Sequence, residues 1–274
     1  MTLANRLFLL NAAAEPFSTD ILFPFAFDDV YGRKAGQGFL PPLLHIWRHR
    51  RAFVIGTGDR RLPHVKEALG WLACQGYETA TRNSGGAAVP LDPGVVNLSL
   101  ILPNQSASLA NIREPFCAMA ELIRESLGKL SHRVKAGEIG GAYCPGEFDL
   151  SIGGRKFCGI AQRRLTKAVV VQAFVNVEGS GHDRATTVRR FYEMAAAGSQ
   201  SKPSVSYPDV QPASMASLAE WDPAIDVETF VHRLQEQFAR RGDLIMHQEY
   251  TLVSLEEVQT RLEELRLRHP VCAR

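Results

Sequence analysis

A cysteine in a turn is the residue of this chain best placed for covalent chemistry. Cys144 stands in GAYCPGEFDLSIGGRKFCGIAQRR, residues 141–164. Its neighbours Tyr143, Pro145 and Gly146 mark an irregular turn, from which a side chain is exposed and aimed. The thiolate is the reactive form of cysteine, and a nearby cation favours it. Lys156, one hairpin away in GGRKFCG, can supply that charge. Directed into a pocket, it can instead hydrogen-bond a carbonyl under attack and stabilise the oxyanion of acyl transfer. Plainer readings stand beside these: a small buried hydrophobe for an arbitrary cysteine, and a solvated hairpin lysine for Lys156. Position alone leaves both open. Cys74 and Cys117 fall in expected helices and Cys158 in an expected strand, where packing explains them, and Cys272 lies near a chain end. Gly159 lets a backbone or ligand approach its strand closely.

The second informative stretch is RNSGGAAVPLDPG, residues 82–94. Gly85-Gly86 permits backbone angles other residues avoid and leaves amides open to a ligand, although a tight turn between strands explains the pair equally. Neither G-x-x-x-x-G-K-[ST] nor G-x-G-x-x-G occurs, so the turn is no Walker loop and no dinucleotide fingerprint. There is no G-x-S-x-G nucleophile elbow; EGSGH, residues 178–182, resembles one only superficially.

Composition narrows the class. The chain has 274 residues, 45% apolar and 22% charged, which fits a globular protein with a substantial core. A formal charge of +2 argues against nucleic acid as the default partner. No apolar run is long enough for a membrane span. Five cysteines without a C-x-x-C pair indicate neither a disulfide framework nor a zinc site, and the eight scattered histidines add no ligand spacing, so no metal and no cofactor are expected. Free thiols suit a reducing compartment. Residues 1–17, MTLANRLFLLNAAAEPF, read as an amphipathic first helix rather than a signal peptide, and a cytoplasmic protein is expected.

Those residues need elements to hold them. Strands are expected at 51–56, 95–103 and 168–177. The first of the remaining signals is a hairpin of 147–152 and 155–161 about Gly153-Gly154. Helices are expected at 62–75, 114–128 and about 184–197, closed by Gly76, Gly128 and Gly198. Residues 198–217, with Pro203, Pro208 and Pro212, read as a loop. Two helices close the chain, at about 226–240 and 255–268, the second opening on a Ser254/Glu257 capping box. Strands and helices are mixed without regular alternation. The expected class is therefore α+β, with mixed or antiparallel sheets flanked by helices, in a single domain over 1–274 whose C-terminal helices start near 226.

The two motifs together resemble the biotin/lipoate protein ligase and octanoyltransferase superfamily. Its glycine-turn pattern R-x-S-G-G-x-x-V-x-x-D-x-G is met by Arg82, Ser84, Gly85, Gly86, Val89, Asp92 and Gly94. Its G-[RK]-K-x-x-G-x-[AS]-Q is met by Gly154, Arg155, Lys156, Gly159, Ala161 and Gln162. The stretches RLPHVKEAL, YCPGEFDLS, NVEGSG and YPDVQPASMASL are most similar to the octanoyl-[glycine cleavage system H protein]:protein octanoyltransferases. The resemblance implies the superfamily's catalytic fold. It makes Cys144 the carrier of an octanoyl thioester and Lys156 the contact of the acyl carbonyl, with Arg82, Ser84, Gly85, Gly86, Val89, Asp92 and Gly159 binding substrate. The donor would be the octanoylated H protein. The acceptors would be lipoyl domains of 2-oxo acid dehydrogenases, with Arg163 and Arg164 as candidate contacts to their acidic surfaces. Val89, Val95, Leu98 and Leu150 are the expected walls of an acyl tunnel.

Two alternatives share the resemblance. One takes octanoate from acyl carrier protein, but the loop of that sister group departs further from YCPGEFDLS. The other is an ATP-dependent lipoate ligase. Ligases commonly carry a third glycine and a histidine where this chain has Ala87 and Leu91, and adenylation needs no thiol.

Overall fold

A computed structural model describes residues 6–17, 20–82, 86–103, 112–197 and 206–268. The chain is built on an eight-stranded mixed sheet. In chain order its strands are β1 (Arg6–Phe17), β2 (Leu43–His49), β6 (Val95–Pro103), β7 (Val134–Ala136), β8 (Leu150–Ile152), β9 (Arg155–Arg164), β10 (Ala168–Asn176) and β11 (Asp243–His247), and their spatial order is β11-β1-β2-β6-β10-β9-β8-β7. β1 runs parallel to both β2 and β11, and the other pairings are antiparallel. A second sheet of three strands, β3 (Ala52–Ile55), β4 (Glu78–Thr81) and β5 (Val89–Leu91), has β3 at its centre. This is the expected α+β class.

Both faces of the large sheet's central strands are buried, for a reason visible along β6. Leu98, Leu100 and Leu102 point to one side and pack with helices α3 (Arg113–Glu125) and α5 (Val227–Ala239). Val95 and Ile101 point to the other side, as alternation in a strand requires. There they meet helix α1 (Phe23–Gly36), the small sheet, and helices α2 (Val65–Cys74), α4 (Gly181–Ala195) and α6 (Leu255–Arg268). The hairpin signal at Gly153-Gly154 is realised by β8 and β9, with both glycines at positive φ. Among the described residues no helix is long and apolar enough to cross a membrane.

The N-terminal expectation is corrected. Residues 6–17 form a strand, not a helix. Leu7, Leu9 and Ala13 enter one core and Leu10 the other, while β2 and β11 pair along its two edges. A strand covered on both faces reads as a continuous apolar run, which periodicity cannot separate from a buried helix. Cys74 and Cys117 also differ from expectation: both lie on their helices but face solvent, whereas Cys158 is buried. Cys272 and Gly198 lie outside the described residues.

Two buried polar clusters tie helices to this frame. Asp28 of α1 accepts from Ser99 Oγ at 2.5 Å and Gln172 Nε2 at 3.0 Å, and faces His45 Nδ1 at 2.8 Å. His45 Nε2 meets Tyr250 OH at 2.7 Å. One residue on, Asp29 takes Arg261 of α6 at 2.7 Å and Arg163 of β9 at 3.2 Å. Arg261→Met strands most of the Asp29 charge in the core; with Arg163 still present, a loss of about 3 kcal/mol is expected, measurable as a lowered urea midpoint.

Candidate active site

The Cys144 turn lies between the two sheets. Cys144 is the only non-glycine residue at positive φ, 46°, among the described residues. That conformation is unfavourable for an L-residue and persists only where surrounding contacts impose it. Lys156, fully buried on β9, supplies them. Its ammonium donates to Cys144 O at 2.6 Å and Tyr143 O at 2.9 Å, and pairs with Asp149 Oδ2 at 2.7 Å. Asp149 Oδ2 also accepts from Gly146 N at 2.9 Å. The Lys156 ammonium has three hydrogens, and these three acceptors engage all of them. An acyl oxygen would meet Lys156 only by displacing one of them. Burial pushes the Asp149 carboxyl up to about 6, against the opposing pull of Lys156.

The turn is fixed from its other side as well. Tyr143 stacks on Phe174 with ring centroids 5.6 Å apart, and its hydroxyl accepts from Asn176 Nδ2 at 3.1 Å. Gln211 N donates to Gly141 O and Ala216 N to Lys156 O, so the segment after residue 206 packs beside both the turn and β9.

The cation at the sulfur is Arg82, not Lys156. Arg82 Nη2 donates to Cys144 Sγ at 3.1 Å and to Ala87 O at 2.6 Å, and Ala87 N approaches the sulfur at 3.4 Å. Both groups point hydrogens where negative charge develops when the sulfur loses its proton or attacks a carbonyl. Gly86, at φ 91°, makes this approach possible: a Cβ there would overlap the Arg82 guanidinium and stand 2.9 Å from Sγ. The turn is anchored behind by Tyr192, whose hydroxyl accepts from Ala88 N at 3.0 Å and donates to the buried Asp59 at 3.0 Å.

Cys144, Arg82 and Gly86 border a cavity of about 230 Å³. Its floor is a row in register across four strands: Trp47 of β2, Asn97 of β6, Phe174 of β10 and Gly159 of β9. Its roof is Val54, Val89 and Leu91 of the small sheet, and Phe25 of α1 closes one side. Gly159 is required where it stands, since a Cβ would strike the Phe174 ring and lie 3.1 Å from Lys156 Nζ. Of the expected walls, Val89 and Leu98 line the cavity, whereas Val95 and Leu150 are buried in the two cores.

The sequence motifs therefore divide. Cys144, Arg82, Gly86, Val89 and Gly159 come together at the cavity. Lys156 lies directly behind the turn that borders it. Asp92 does not reach it: its carboxylate is gripped by Arg184 Nε and Nη2, both at 2.6 Å, and accepts from Gly94 N, which makes it an anchor of the turn into β6. Ser84 and Gly85 lie outside the described residues. Arg155, on the opposite face of β9 from the cavity, is half-exposed, pairs with Glu220 at 2.7 Å and covers the Trp221 ring. Asp149 was missed by sequence reasoning, although it stands five positions after Cys144 and next to the hairpin that carries Lys156. Cys158, fully buried, has its thiol pushed far up by burial, which removes it as a competing nucleophile.

The geometry defines a thiol with two donors at the mouth of a largely apolar cavity. Comparison with known proteins places it. The lipoyl protein ligase A/B catalytic domain matches residues 20–239, and the chain belongs to that family. It is 46% identical to the octanoyl-[GcvH]:protein N-octanoyltransferase of Geobacillus kaustophilus, over 72% of this chain and 68% of that one. It is 37% identical to the lipoyl-[GcvH]:protein N-lipoyltransferase of Listeria monocytogenes, over 78% and 75% of the two chains. Among solved structures it superposes on a lipoate-protein ligase A bound with ATP at a TM-score of 0.68, with 21% identity, 95% of this chain and 93% of that one covered, a likeness of fold.

The close packing at Gly86 has a measurable consequence. Gly86→Ala should slow alkylation of Cys144 by iodoacetamide several-fold while leaving the far-UV circular dichroism intact. Gly140→Ala, where an added Cβ meets nothing within 4 Å, should leave the rate unchanged.

Proposed function

We propose that this enzyme moves an octanoyl group from the modified lysine of the glycine cleavage system H protein to lysines of lipoyl domains, through a thioester on Cys144. The observation that carries this reading is the sulfur of Cys144 held by Arg82 and Ala87 N at the mouth of the cavity. The names of the relatives support the donor. Octanoyl transfer needs a hydrophobic slot beside a nucleophile and no adenylation. An engineered cavity of about 150 Å³ accommodates benzene, so the present one is of a size for an eight-carbon chain.

The Cys144 thiolate attacks the amide carbonyl of the donor, forming the S–C bond. The oxyanion that develops beside the sulfur receives hydrogen bonds from Ala87 N and the Arg82 guanidinium. The C–N bond then breaks, and the proton originally on the thiol ends on the leaving amine. Lys156 keeps a buried positive charge behind the reacting centre and holds the turn. In the second half the free amine of the acceptor lysine attacks the thioester, its surplus proton returns to sulfur, and the thiol is restored. One amide is exchanged for another, so the overall reaction is close to balanced and consumes no ATP.

The test is intact-protein mass spectrometry after mixing the chain with octanoylated H protein in the absence of ATP. A hydroxylamine-labile octanoyl adduct is expected on the wild type and none on Cys144→Ala. An adduct only from octanoyl-acyl carrier protein, or transfer that requires ATP and survives loss of Cys144, contradicts the reading. Arg82→Ala should form the adduct about a hundredfold more slowly. Each methylene contributes about 0.8 kcal/mol. A hexanoyl donor should therefore load about tenfold less efficiently than octanoyl, measured by competition.

A further inference from the structure

The Asp149 carboxylate is an unusual presence in this site. It is 1% exposed, its Oδ2 holds both Lys156 Nζ and Gly146 N, and its Oδ1 has no hydrogen-bond partner among the described residues. Oδ1 lies behind Gly146, which lines the cavity: a Cβ on that glycine would stand 3.2 Å from it. The four bonds Asp149–Gly146, Asp149–Lys156, Lys156–Cys144 and Lys156–Tyr143 close a clasp across the turn from 143 to 149. Asp149 N also donates to Gly146 O. This clasp holds Cys144 in its left-handed conformation and aims the sulfur at Arg82.

We propose that Asp149 is a positioning residue for the nucleophile and that its ionisation is the latch: ionised, it keeps Lys156 and Gly146 in the clasp and the sulfur on its donors; protonated, it releases the turn.

The titratable groups that face it are Lys156 from the same hairpin, Glu138 from the segment after β7, and the thiol of Cys158 on β9, which burial keeps neutral. Lys156 favours the ionised form, while burial and Glu138 oppose it, and the balance leaves the carboxyl at about 6. In the folded chain this lies above the ordinary value of 3.8. Ionised Asp149 therefore weighs against the fold between about pH 4 and 6 and above, and acidification relieves that burden. Falling pH thus loosens the clasp while this group contributes no loss of global stability. A switch in reactivity without unfolding is the signature.

The proposal rests on Cys144 as the nucleophile, but its test does not require acyl transfer. Alkylation of Cys144 by iodoacetamide is compared between the wild type and Asp149→Asn from about pH 5 to 8. Each rate is divided by the thiolate fraction measured for that protein before their ratio is taken, so that the titration of the thiol itself drops out. Asparagine imitates the protonated carboxyl, so the variant should be roughly tenfold or more slower at about pH 8. The ratio should approach one near pH 5, where wild-type Asp149 is protonated too. Asp149→Glu, which keeps the charge, should recover part of the rate. A ratio that stays flat with pH, or no slowing at about pH 8, overturns the proposal. If Asp149→Asn does not fold, hydrogen exchange of residues 143–149 in the wild type decides. Corrected for intrinsic chemistry, protection there should fall as pH drops through about 6, and constant protection overturns the latch. A wild type whose Cys144 is acylated by no donor would sink the proposed function, whereas a flat ratio in an enzyme that does load octanoate sinks the latch alone.

Discussion

A buried ammonium organises this site. Placing a lysine nitrogen inside a protein is unfavourable unless every hydrogen finds an acceptor and the charge finds a partner. Lys156 meets both conditions with the same short segment of chain: two successive carbonyls, at Tyr143 and Cys144, and one carboxylate, at Asp149. Satisfying the lysine therefore dictates the path of the turn, and the turn's path dictates where the sulfur points. The strained φ of Cys144 is the visible result. Charge at the sulfur is handled by a different residue, Arg82, which directly follows β4 of the small sheet. Separating the cation that shapes the loop from the cation that faces the sulfur lets each be fixed without compromising the other.

The two sheets have distinct tasks. The large sheet supplies a rigid floor, because β6, β10 and β9 are paired in continuous register and buried on both faces. Residues in one row across it, from Trp47 to Gly159, set the cavity's width. The small sheet brings Gly86 and Val89 over that floor; Tyr192 and Asp59 hold Ala88 from behind, and Arg184 holds Asp92 in the turn into β6. Two glycines make room at the site. Gly86 gives room to Arg82 and the thiol, and Gly159 gives room to Phe174 and the lysine. The proximity of reactive groups is thus a property of packing between sheets.

Much of this was legible in the sequence where a local signal exists. The Gly153-Gly154 hairpin, the apolar strands β6 and β10, and helices α2 to α6 follow from turn chemistry and periodicity. The lysine, cysteine and glycine turn were recognisable as motifs. What escaped is what depends on tertiary context. The apolar run at the start of β1 and most of α1 are buried, so neither shows a regular polar face to betray its period. β11 is a short strand between two well-signalled helices, and it exists because β1 offers it an open edge. Within the site, the division of labour between Arg82 and Lys156 was hidden, since the two cations lie 74 positions apart and only the fold reveals which one meets the sulfur. Asp92 shows the converse: a residue in a recognisable motif whose carboxylate serves the turn and not the cavity.

The proposed reaction makes the sulfur of Cys144 a waypoint for the acyl group and not a bystander. It is tested most directly by isolating the octanoylated enzyme, adding apo lipoyl domain without ATP, and following both proteins by quenched-flow mass spectrometry. The expected result is that octanoate leaves Cys144 and appears on the acceptor lysine at equal rates, no slower than steady-state turnover. An acyl-enzyme that persists while acceptor is modified from free donor would contradict the claim, and would leave the thiol with a binding role only.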